Sequence, residues 1–211
     1  MGDVVRLRFE GDFACFTRHE FAAERLSYDL PPPTAARGMV EAIFWRPEIS
    51  YWIQSVAIVP HSSGRPTRML RLPTNEVGRM TPSDVSETTV RTQRRCLVLR
   101  DPAFLIEVEI RPGARAITKP GHTMTTYREM LMRRATKGQS VDTPCLGLRD
   151  YPARFSLADP DDRPIDEHRV LGPMTYIVWR RDNWPHKAVR ERATEMAVME
   201  HGTVDMREWP Q

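Results

Sequence analysis

The sequence predicts an α+β fold that opens, as a ferredoxin-like domain does, with a strand, a helix and a second strand. Apolar and charged residues alternate over residues 4–10 (VVRLRFE), which is typical of a strand with one face on a core. Apolar residues then recur at helical spacing from Ala36 to Phe44, and residues 49–59 (ISYWIQSVAIV) again form a strand pattern. This order sets the expected architecture.

The predicted helix has clear start and stop signals. Thr34 follows three prolines and is the expected N-cap, and Pro47 ends the helix. Gly38 lies inside it beside Arg37, and because glycine costs a helix interior about 1 kcal/mol relative to alanine, we expect close backbone approach there. Two interpretations fit this segment: a helix packed tightly on a sheet, or a helix start whose arginine and free N–H groups receive a phosphate.

A long segment rich in Gly, Pro, Ser and Arg follows at residues 60–89. Its few apolar residues are Met69, Leu70, Leu72 and Met80. The segment is too long for an ordinary loop. It is either a disordered insertion or an extended β-hairpin whose apolar residues are buried only against a neighbouring subunit, and the Arg/Leu alternation in RMLRLP favours the hairpin.

A second helix is predicted before residue 140. Thr125 or Thr126 can cap it, and it runs to about Lys137 and stops at Gly138. Its expected core side consists of Tyr127, Met130, Leu131 and Ala135.

Further strands complete the fold. Residues 90–99 and 103–111 are expected to pair as a β-hairpin joined at Asp101-Pro102. Strands are also expected within residues 145–157 and at 174–181, whereas helix and strand interpretations compete near residues 196–202. We expect a ferredoxin-like domain over residues 1–140, with the extended hairpin around 60–90, and a small β-rich domain over residues 141–211.

Composition excludes several classes of function. The 211 residues are 40% hydrophobic, enough for a core, and no run of about 18 apolar residues or signal peptide occurs, so we expect a cytoplasmic protein that does not enter the membrane. Three isolated cysteines and six histidines without paired spacing predict no disulfide, metal site or other cofactor. A phosphate-binding glycine loop and a nucleophile elbow are also missing from the sequence.

The positive signal is arginine interleaved with aromatic residues, a pattern typical of proteins that bind RNA or single-stranded nucleic acid. Of 31 basic residues, only Lys119, Lys137 and Lys187 are lysines. A GC-rich genome would give the same bias, so composition alone does not decide. The positions favour binding, because basic residues cluster around the first helix and along the second. The expected RNA-binding residues are Arg18, Arg25, Ser27, Tyr28, Arg37, Arg46, Arg128, Arg133, Arg134 and Lys137.

Several short motifs occur in a fixed order along the chain. Around the first helix they are ERLSY at 24–28, AARG at 35–38, EAI at 41–43 and WRP at 45–47. Elsewhere they are GDFACFTR at 11–18, RRATKGQ at 133–139, PCLGLRDYPA at 144–153 and AVMEHG at 197–202. In these motifs the chain resembles the fifth family of CRISPR-associated (Cas) proteins, in its type I-C branch.

This resemblance implies an RNA-recognition-type ferredoxin-like domain with a long hairpin and a small second β domain. It implies a type I-C effector (Cascade) subunit that holds the 5′ repeat-derived handle of CRISPR RNA (crRNA) and takes part in crRNA maturation and antiviral defence. The implied partners are the crRNA, the backbone and large subunits of the complex and, indirectly, target DNA. Members of the type I-C branch also cut precursor RNA without metal, leaving a 2′,3′-cyclic phosphate.

The sequence departs from the catalytic set that the resemblance implies. Members of the branch use an aromatic residue or histidine before Trp-basic-Pro and a Lys-His pair early in the second helix, and these positions fall here on Phe44, Thr126 and Tyr127. Only Tyr127 could exchange a proton. Either cleavage is lost, or His122 and Lys119 replace the missing groups, so the candidate catalytic residues are His122 and Tyr127.

Two hypotheses therefore remain for this resemblance. The chain is a subunit that binds the handle with or without cleavage, or it is a self-contained metal-independent endoribonuclease. A third, an RNA-recognition module of an unrelated ribonucleoprotein, is disfavoured by the ordered motifs.

Overall fold

A computed structural model of the protein describes residues 4–21, 24–77, 91–113, 121–180 and 189–211. In chain order, the strands and helices of these residues are β1 (Val4–Glu10), β2 (Phe13–Ala14), β3 (Arg25–Leu26), α1 (Pro33–Ile43), β4 (Ile49–Ile58), β5 (Arg68–Val77), β6 (Arg91–Arg100), β7 (Ala103–Pro112), α2 (Met124–Thr136), β8 (Arg154–Leu157), β9 (Arg169–Arg180), β10 (Val189–Met199) and β11 (Thr203–Asp205).

A five-stranded antiparallel sheet carries both helices on one face. Its order is β11-β4-β7-β1-β8. The inward residues of β1 are buried, as the alternation predicted, and Phe9 lies in one core cluster with Ile43 of α1 and Leu131 of α2. The helices are therefore held against this sheet by a shared apolar core.

The opposite face of this sheet carries charged pairs beside a small apolar cluster around Leu105. Arg6 of β1 lies 3.2 Å from a carboxylate oxygen of Glu107, its cross-strand neighbour on β7. The guanidinium carbon of Arg111 lies 4.0 Å from the ring centroid of Trp52, and its Nη2 donates to Glu109 at 2.7 Å. These arginines are therefore already paired within the protein on this face of the sheet.

The smaller sheet corrects one predicted pairing. Strand β6 pairs with β2, β3 and β5, whereas β7 pairs with β1 and β4. The predicted hairpin between residues 90–99 and 103–111 is therefore wrong. Between β6 and β7, buried Asp101 has φ of 50° and its N–H donates to Asp12 at 3.0 Å. This left-handed residue turns the chain from one sheet into the other, and tertiary packing then decides the partner of each strand.

Strand β5 lies in the segment for which the sequence favoured an extended hairpin over a disordered insertion. It pairs along its whole length with β6, from Arg68 opposite Arg100 to Val77 opposite Arg91. The apolar residues of β5, Met69, Leu70 and Leu72, pack against buried residues of this chain, so the expectation that they are buried only against another subunit is wrong. Met80, within residues 78–90, lies outside the described residues.

The last third of the chain returns to the main sheet. The strand interpretation near residue 196 is confirmed, because β10 pairs with β9 in a two-stranded sheet. The strand expected within residues 145–157 is only β8, which lies beside β1, and β11 lies beside β4. Strands from both sides of residue 140 thus share one sheet, and the division into two domains stays a prediction.

Neither of the two described helices is long and apolar enough to cross a membrane. The cytoplasmic location stays a prediction.

Candidate nucleic-acid interface

The start of α1 differs from the predicted one. Its N-cap is Pro32, which makes no side-chain hydrogen bond, and Pro33 supplies a φ suited to the first turn. The hydroxyl of Thr34 instead donates to the carbonyl of Ile177 on β9 at 2.7 Å and accepts from its N–H at 3.1 Å. The prediction that Thr34 is the cap is therefore wrong, because that hydroxyl joins the helix to β9.

Gly38 also has a different environment from the expected one. A Cβ placed on this residue would meet no atom within 4 Å, and the residue is exposed. The expected close backbone approach is wrong. Buried residues of α1 pack on the sheet instead, which supports the first of the two interpretations of this helix.

Phe44, at the C-cap of α1, is held in place by Tyr51 of β4. The phenol of Tyr51 donates to the Phe44 carbonyl at 2.7 Å. Burial raises the pKa of Tyr51 far above its ordinary value, and the nearby Glu41 carboxylate adds to this, while Arg134 opposes it. Tyr51 therefore stays a neutral hydrogen-bond donor that fixes the end of α1.

Helix α2 begins one turn earlier than a cap at Thr126 would allow. Thr123 is the N-cap, and its hydroxyl accepts from the N–H of Thr126, whose own side chain accepts from the N–H of Thr123. This reciprocal capping box corrects the prediction of Thr125 or Thr126 as the cap. The predicted end is confirmed, since Lys137 is the C-cap and Gly138 has φ of 61°.

The helices bring three rings together in what we call the aromatic row: His122, Tyr127 and Phe44. The centroids of His122 and Tyr127 lie 5.3 Å apart in an edge-to-face arrangement, and those of Tyr127 and Phe44 lie 6.3 Å apart. The guanidinium carbon of Arg134 lies 5.5 Å from the centroid of Phe44. The row therefore joins an imidazole, a phenol and a cation, which are the types of group that metal-independent RNA cleavage uses.

One ring nitrogen of His122 is buried within this row. Among the residues that the structure describes, Nδ1 of His122 has no hydrogen-bond partner although it is buried. Thr126, by contrast, uses its hydroxyl in the capping box. The structure thus brings His122 against Tyr127, whereas Lys119, the other predicted replacement, lies outside the described residues.

The remaining predicted RNA-binding residues near the helices differ in exposure and contacts. Arg37 forms an ion pair with Glu41 one turn later, with 3.6 Å between Nε and Oε1. Arg46 is exposed just after α1, and Arg133 and Lys137 are exposed at the end of α2. The helix dipole stabilises cations at the C-terminal end of a helix, so the positions of Arg133 and Lys137 are also explained by the stability of α2. Arg128 is partly buried.

The predicted residues near β3 form a second group, away from the aromatic row in sequence. The Ser27 hydroxyl is buried, accepts from the N–H of Phe16 at 2.9 Å and donates to the Tyr28 carbonyl at 2.7 Å. The Tyr28 hydroxyl accepts from the N–H of Thr175 at 2.9 Å. These bonds give Ser27 and Tyr28 structural roles in the described protein.

Both arginines of this group are partly exposed. Arg18 lies over the ring of Tyr28, with 4.8 Å from its guanidinium carbon to the centroid, and pairs with Asp29 at 3.5 Å. Arg25 lies in β3, partly exposed.

A cavity of about 450 Å³ beside Arg18 contains residues that sequence analysis missed. Phe21 lines it with 47% of its surface exposed, and Nη1 of Arg192 lies 2.6 Å from Nε2 of His19. An exposed aromatic ring beside guanidinium groups suits a base and its phosphate. The run TRHEF at 17–21, which contains basic and aromatic residues, could have indicated one wall of this cavity. Arg192, on β10, had no such signal in the sequence.

Comparison with known proteins identifies the family. The profile of the family described as CRISPR-associated protein (Cas_Cas5) matches residues 4–206. The chain belongs to this Cas5 family. The resemblance found in the short motifs is thereby confirmed.

Two curated relatives of this Cas5 chain carry the name CRISPR pre-crRNA endoribonuclease Cas5d. The protein from Thermus thermophilus is 41% identical over 175 residues, which cover 82% of this chain and 72% of the relative. The protein from Mannheimia succiniciproducens is 36% identical over 215 aligned positions, which cover 88% of this chain and 90% of the relative.

Two solved structures share the fold. One is the crystal structure of a CRISPR-associated protein, with a TM-score of 0.66 and 18% identity, covering 96% of this chain and 90% of the other. A functionally uncharacterized protein from Streptococcus mutans has the same TM-score and identity, with 96% and 91% covered. The predicted α+β class of this Cas5 chain is confirmed.

Proposed function

We propose that this Cas5 chain is a type I-C effector (Cascade) subunit that binds the 5′ repeat-derived handle of crRNA and takes part in crRNA maturation and antiviral defence. Its partners are the crRNA and the backbone and large subunits of the complex, with target DNA reached through them. The names of the two curated relatives support this proposal, as do the exposed basic residues Arg46, Arg133 and Lys137 after α1 and at the end of α2.

The proposal includes a ferredoxin-like arrangement for the main sheet. Reading the order β8-β1-β7-β4, with α1 between β1 and β4 in the chain and α2 between β7 and β8, gives the βαββαβ sequence of that fold. Both helices cover one face, and their C-terminal parts meet where Arg134 contacts Phe44. We place the RNA at this helical junction because arginines of the opposite sheet face are paired with carboxylates.

The single observation that carries the mechanism is the composition of the aromatic row. Phe44 has no ionisable proton, and the Thr126 hydroxyl is bound in the capping box. Cleavage by attack of the 2′-OH needs a base for that hydroxyl, an acid for the leaving 5′-oxygen and a cation for the phosphorane. Arg134 supplies the cation, but the expected lysine and histidine are absent from positions 126 and 127. We therefore expect tight handle binding with slow cutting.

A second candidate function is metal-independent endoribonuclease activity from a relocated set. It is favoured by the contact of His122 with Tyr127 and by the shielded Nδ1 of His122, which lacks a partner among the described residues. In this version, the imidazole of His122 takes the proton of the 2′-OH, and the 2′-oxygen bonds to the phosphorus to form a 2′,3′-cyclic phosphate. The bond from phosphorus to the 5′-oxygen breaks as the phenol of Tyr127 gives that oxygen a proton.

Incubation of the purified protein with a repeat-derived hairpin RNA in EDTA tests both versions. A gel shift without a discrete product supports the binding subunit, and one product that ends in a cyclic phosphate supports the nuclease. A hairpin with a single 2′-deoxynucleotide at the cleavage site is the matched control, because it binds alike but lacks the attacking hydroxyl. Equal affinity for the repeat hairpin and for an unrelated hairpin of the same length would contradict the proposed function.

A further inference from the structure

Two histidines and a carboxylate that lie far apart in sequence meet at one exposed point: Asp166, His168 and His201. Nδ1 of His201 lies 2.9 Å from Oδ1 of Asp166, and Nε2 of His168 lies 3.8 Å from the same oxygen. The two imidazole rings are edge to face with centroids 4.1 Å apart. One donor atom from each residue lies within 4.8 Å of the other two.

The backbones that carry these side chains are fixed to each other. The N–H of Gly202 donates to the carbonyl of Glu167 at 2.9 Å, and the N–H of Ile58 donates to the carbonyl of Gly202 at 2.9 Å. Gly202 has φ of 72°, and a Cβ there would lie 2.2 Å from the carbonyl oxygen of Ile165. His201 itself has φ of 47°, which is uncommon for a residue with a side chain. The close approach of these two segments therefore places the three side chains before any ligand binds.

We propose that Asp166, His168 and His201 bind one divalent transition-metal ion of the class of Zn²⁺. Four ligands at about 2.0 to 2.2 Å around tetrahedral zinc lie roughly 3.3 Å from one another. The observed separations of 2.9 and 3.8 Å lie on either side of that value, so small rotations of exposed side chains complete the geometry. Two imidazoles with one carboxylate suit zinc, nickel or copper, whereas magnesium and calcium prefer sites made of oxygen ligands.

The ion would join the connector at residues 166–168 to the turn between β10 and β11. Because the folded chain gathers ligands that the unfolded chain separates, binding stabilises the fold by mass action. None of the three residues belongs to the aromatic row or to the predicted RNA-binding set. The site is therefore a structural clamp, separate from RNA cleavage.

Titration of untagged, EDTA-treated and desalted protein with Zn²⁺, in competition with a chromophoric chelator, tests the proposal. We expect one equivalent to bind, and saturation at about 100-fold excess over the dissociation constant to raise Tm by roughly 5 to 10 °C. His201→Gln and Asp166→Asn should each weaken binding by at least about tenfold, the loss that even groups behind the ligands cause when removed. Co²⁺ in place of Zn²⁺ should give visible d–d bands in the wild type only.

His19→Gln is the matched control, because His19 is also exposed and bonded to one neighbouring side chain, and it should bind zinc as the wild type does. Circular dichroism of each metal-free variant checks that the fold is kept. Less than one equivalent in the wild type, or unchanged affinity in both ligand variants, would mean a surface ion pair only and would overturn the proposal. The titration contains no RNA, so its result is independent of the proposed function.

Discussion

The rings of His122 and Tyr127 lie edge to face with their centroids 5.3 Å apart. His122 precedes the N-cap Thr123, and Tyr127 lies in the first turn of α2 and is 97% shielded from solvent. Histidine is the side chain that titrates most readily near neutral pH, and a phenol acts mainly as an acid. This contact therefore joins the two groups in the aromatic row that could move protons in an RNA cleavage reaction.

Replacement of His122 by alanine should lower any EDTA-resistant cleavage of repeat RNA by about 100-fold or more, since general acid–base catalysis contributes about 100- to 10,000-fold per group. The dissociation constant of the RNA should stay within about twofold, because no phosphate contact is removed. Single-turnover rates and gel-shift titrations measure the two effects. The double variant His122→Ala, Tyr127→Phe should not cleave; cleavage by it at the wild-type rate would place the active site elsewhere.

Installing the residues that the family resemblance implies should strengthen cleavage. We expect Thr126→Lys with Tyr127→His to raise the single-turnover rate by at least about 100-fold, at a cost in stability of about 1 kcal/mol for the lost capping box plus the loss of buried Tyr127 packing. Thr125→Lys with Tyr127→His is the matched control, since it points the lysine about 100° away around the helix. Equal rates in the two double variants would count against a lysine role at position 126.

Arg25, Arg37 and Arg134 are expected to contact RNA phosphates. Each alanine substitution should weaken handle binding and reduce the slope of log affinity against log salt by about 0.7 to 0.9, because each lost phosphate contact leaves roughly one counterion unreleased. Fluorescence anisotropy between 50 and about 300 mM salt measures the slope. Arg207→Ala, which removes an exposed arginine paired with Asp205, should leave it unchanged; wild-type slopes in all three test variants would remove the assignment.

Local sequence patterns predicted most strands and helices. The pairing of the strands and the contacts between distant side chains depended on the tertiary structure and could not be predicted from those patterns. The alternation in residues 4–10 was sufficient for β1 because burial of one face is a local signal. The partner of β6 was not predictable, since it depends on the left-handed turn at Asp101. The sequence pattern predicted Thr34 as a helix cap, but its hydroxyl instead donates a hydrogen bond to the carbonyl of Ile177 on β9. The approach of His201 to Asp166 likewise arises only when residues 58, 165 and 202 come together.

The position of the α2 cap gives a stability prediction. Thr123→Ala should lower the free energy of unfolding by about 1 kcal/mol, because the N–H of Thr126 then loses its acceptor at the helix start. Thr125→Ala, at an exposed position inside the helix, should change it by less than about 0.5 kcal/mol. Urea unfolding measures both. The reverse order of the two effects would show that the helix begins where the sequence pattern suggested.

Glu10 should govern part of the acid sensitivity of the fold. Burial raises the pKa of its carboxyl group, but hydrogen bonds from Ser62 and Arg8 outweigh burial and lower the pKa from 4.5 to about 2. The hydroxyl of Ser62 donates at 2.7 Å, its N–H at 3.2 Å, and Nη2 of Arg8 at 3.0 Å. The folded protein thus holds Glu10 ionised under conditions in which the unfolded chain already binds a proton.

The sign of the resulting pH dependence follows from this difference. Because the folded pKa lies below the unfolded one, the stabilisation is fully present above pH 4.5 and is lost as the pH falls towards 2. A shift of this size corresponds to at most about 3 kcal/mol. Glu10→Gln should therefore flatten the fall in unfolding free energy between pH 4.5 and 2 by up to that amount, and Ser62→Ala, which removes only the hydroxyl, should flatten it partly. Urea titrations at a series of pH values measure the slopes, and a Glu10→Gln slope equal to that of the wild type would show that another carboxylate sets the acid limit.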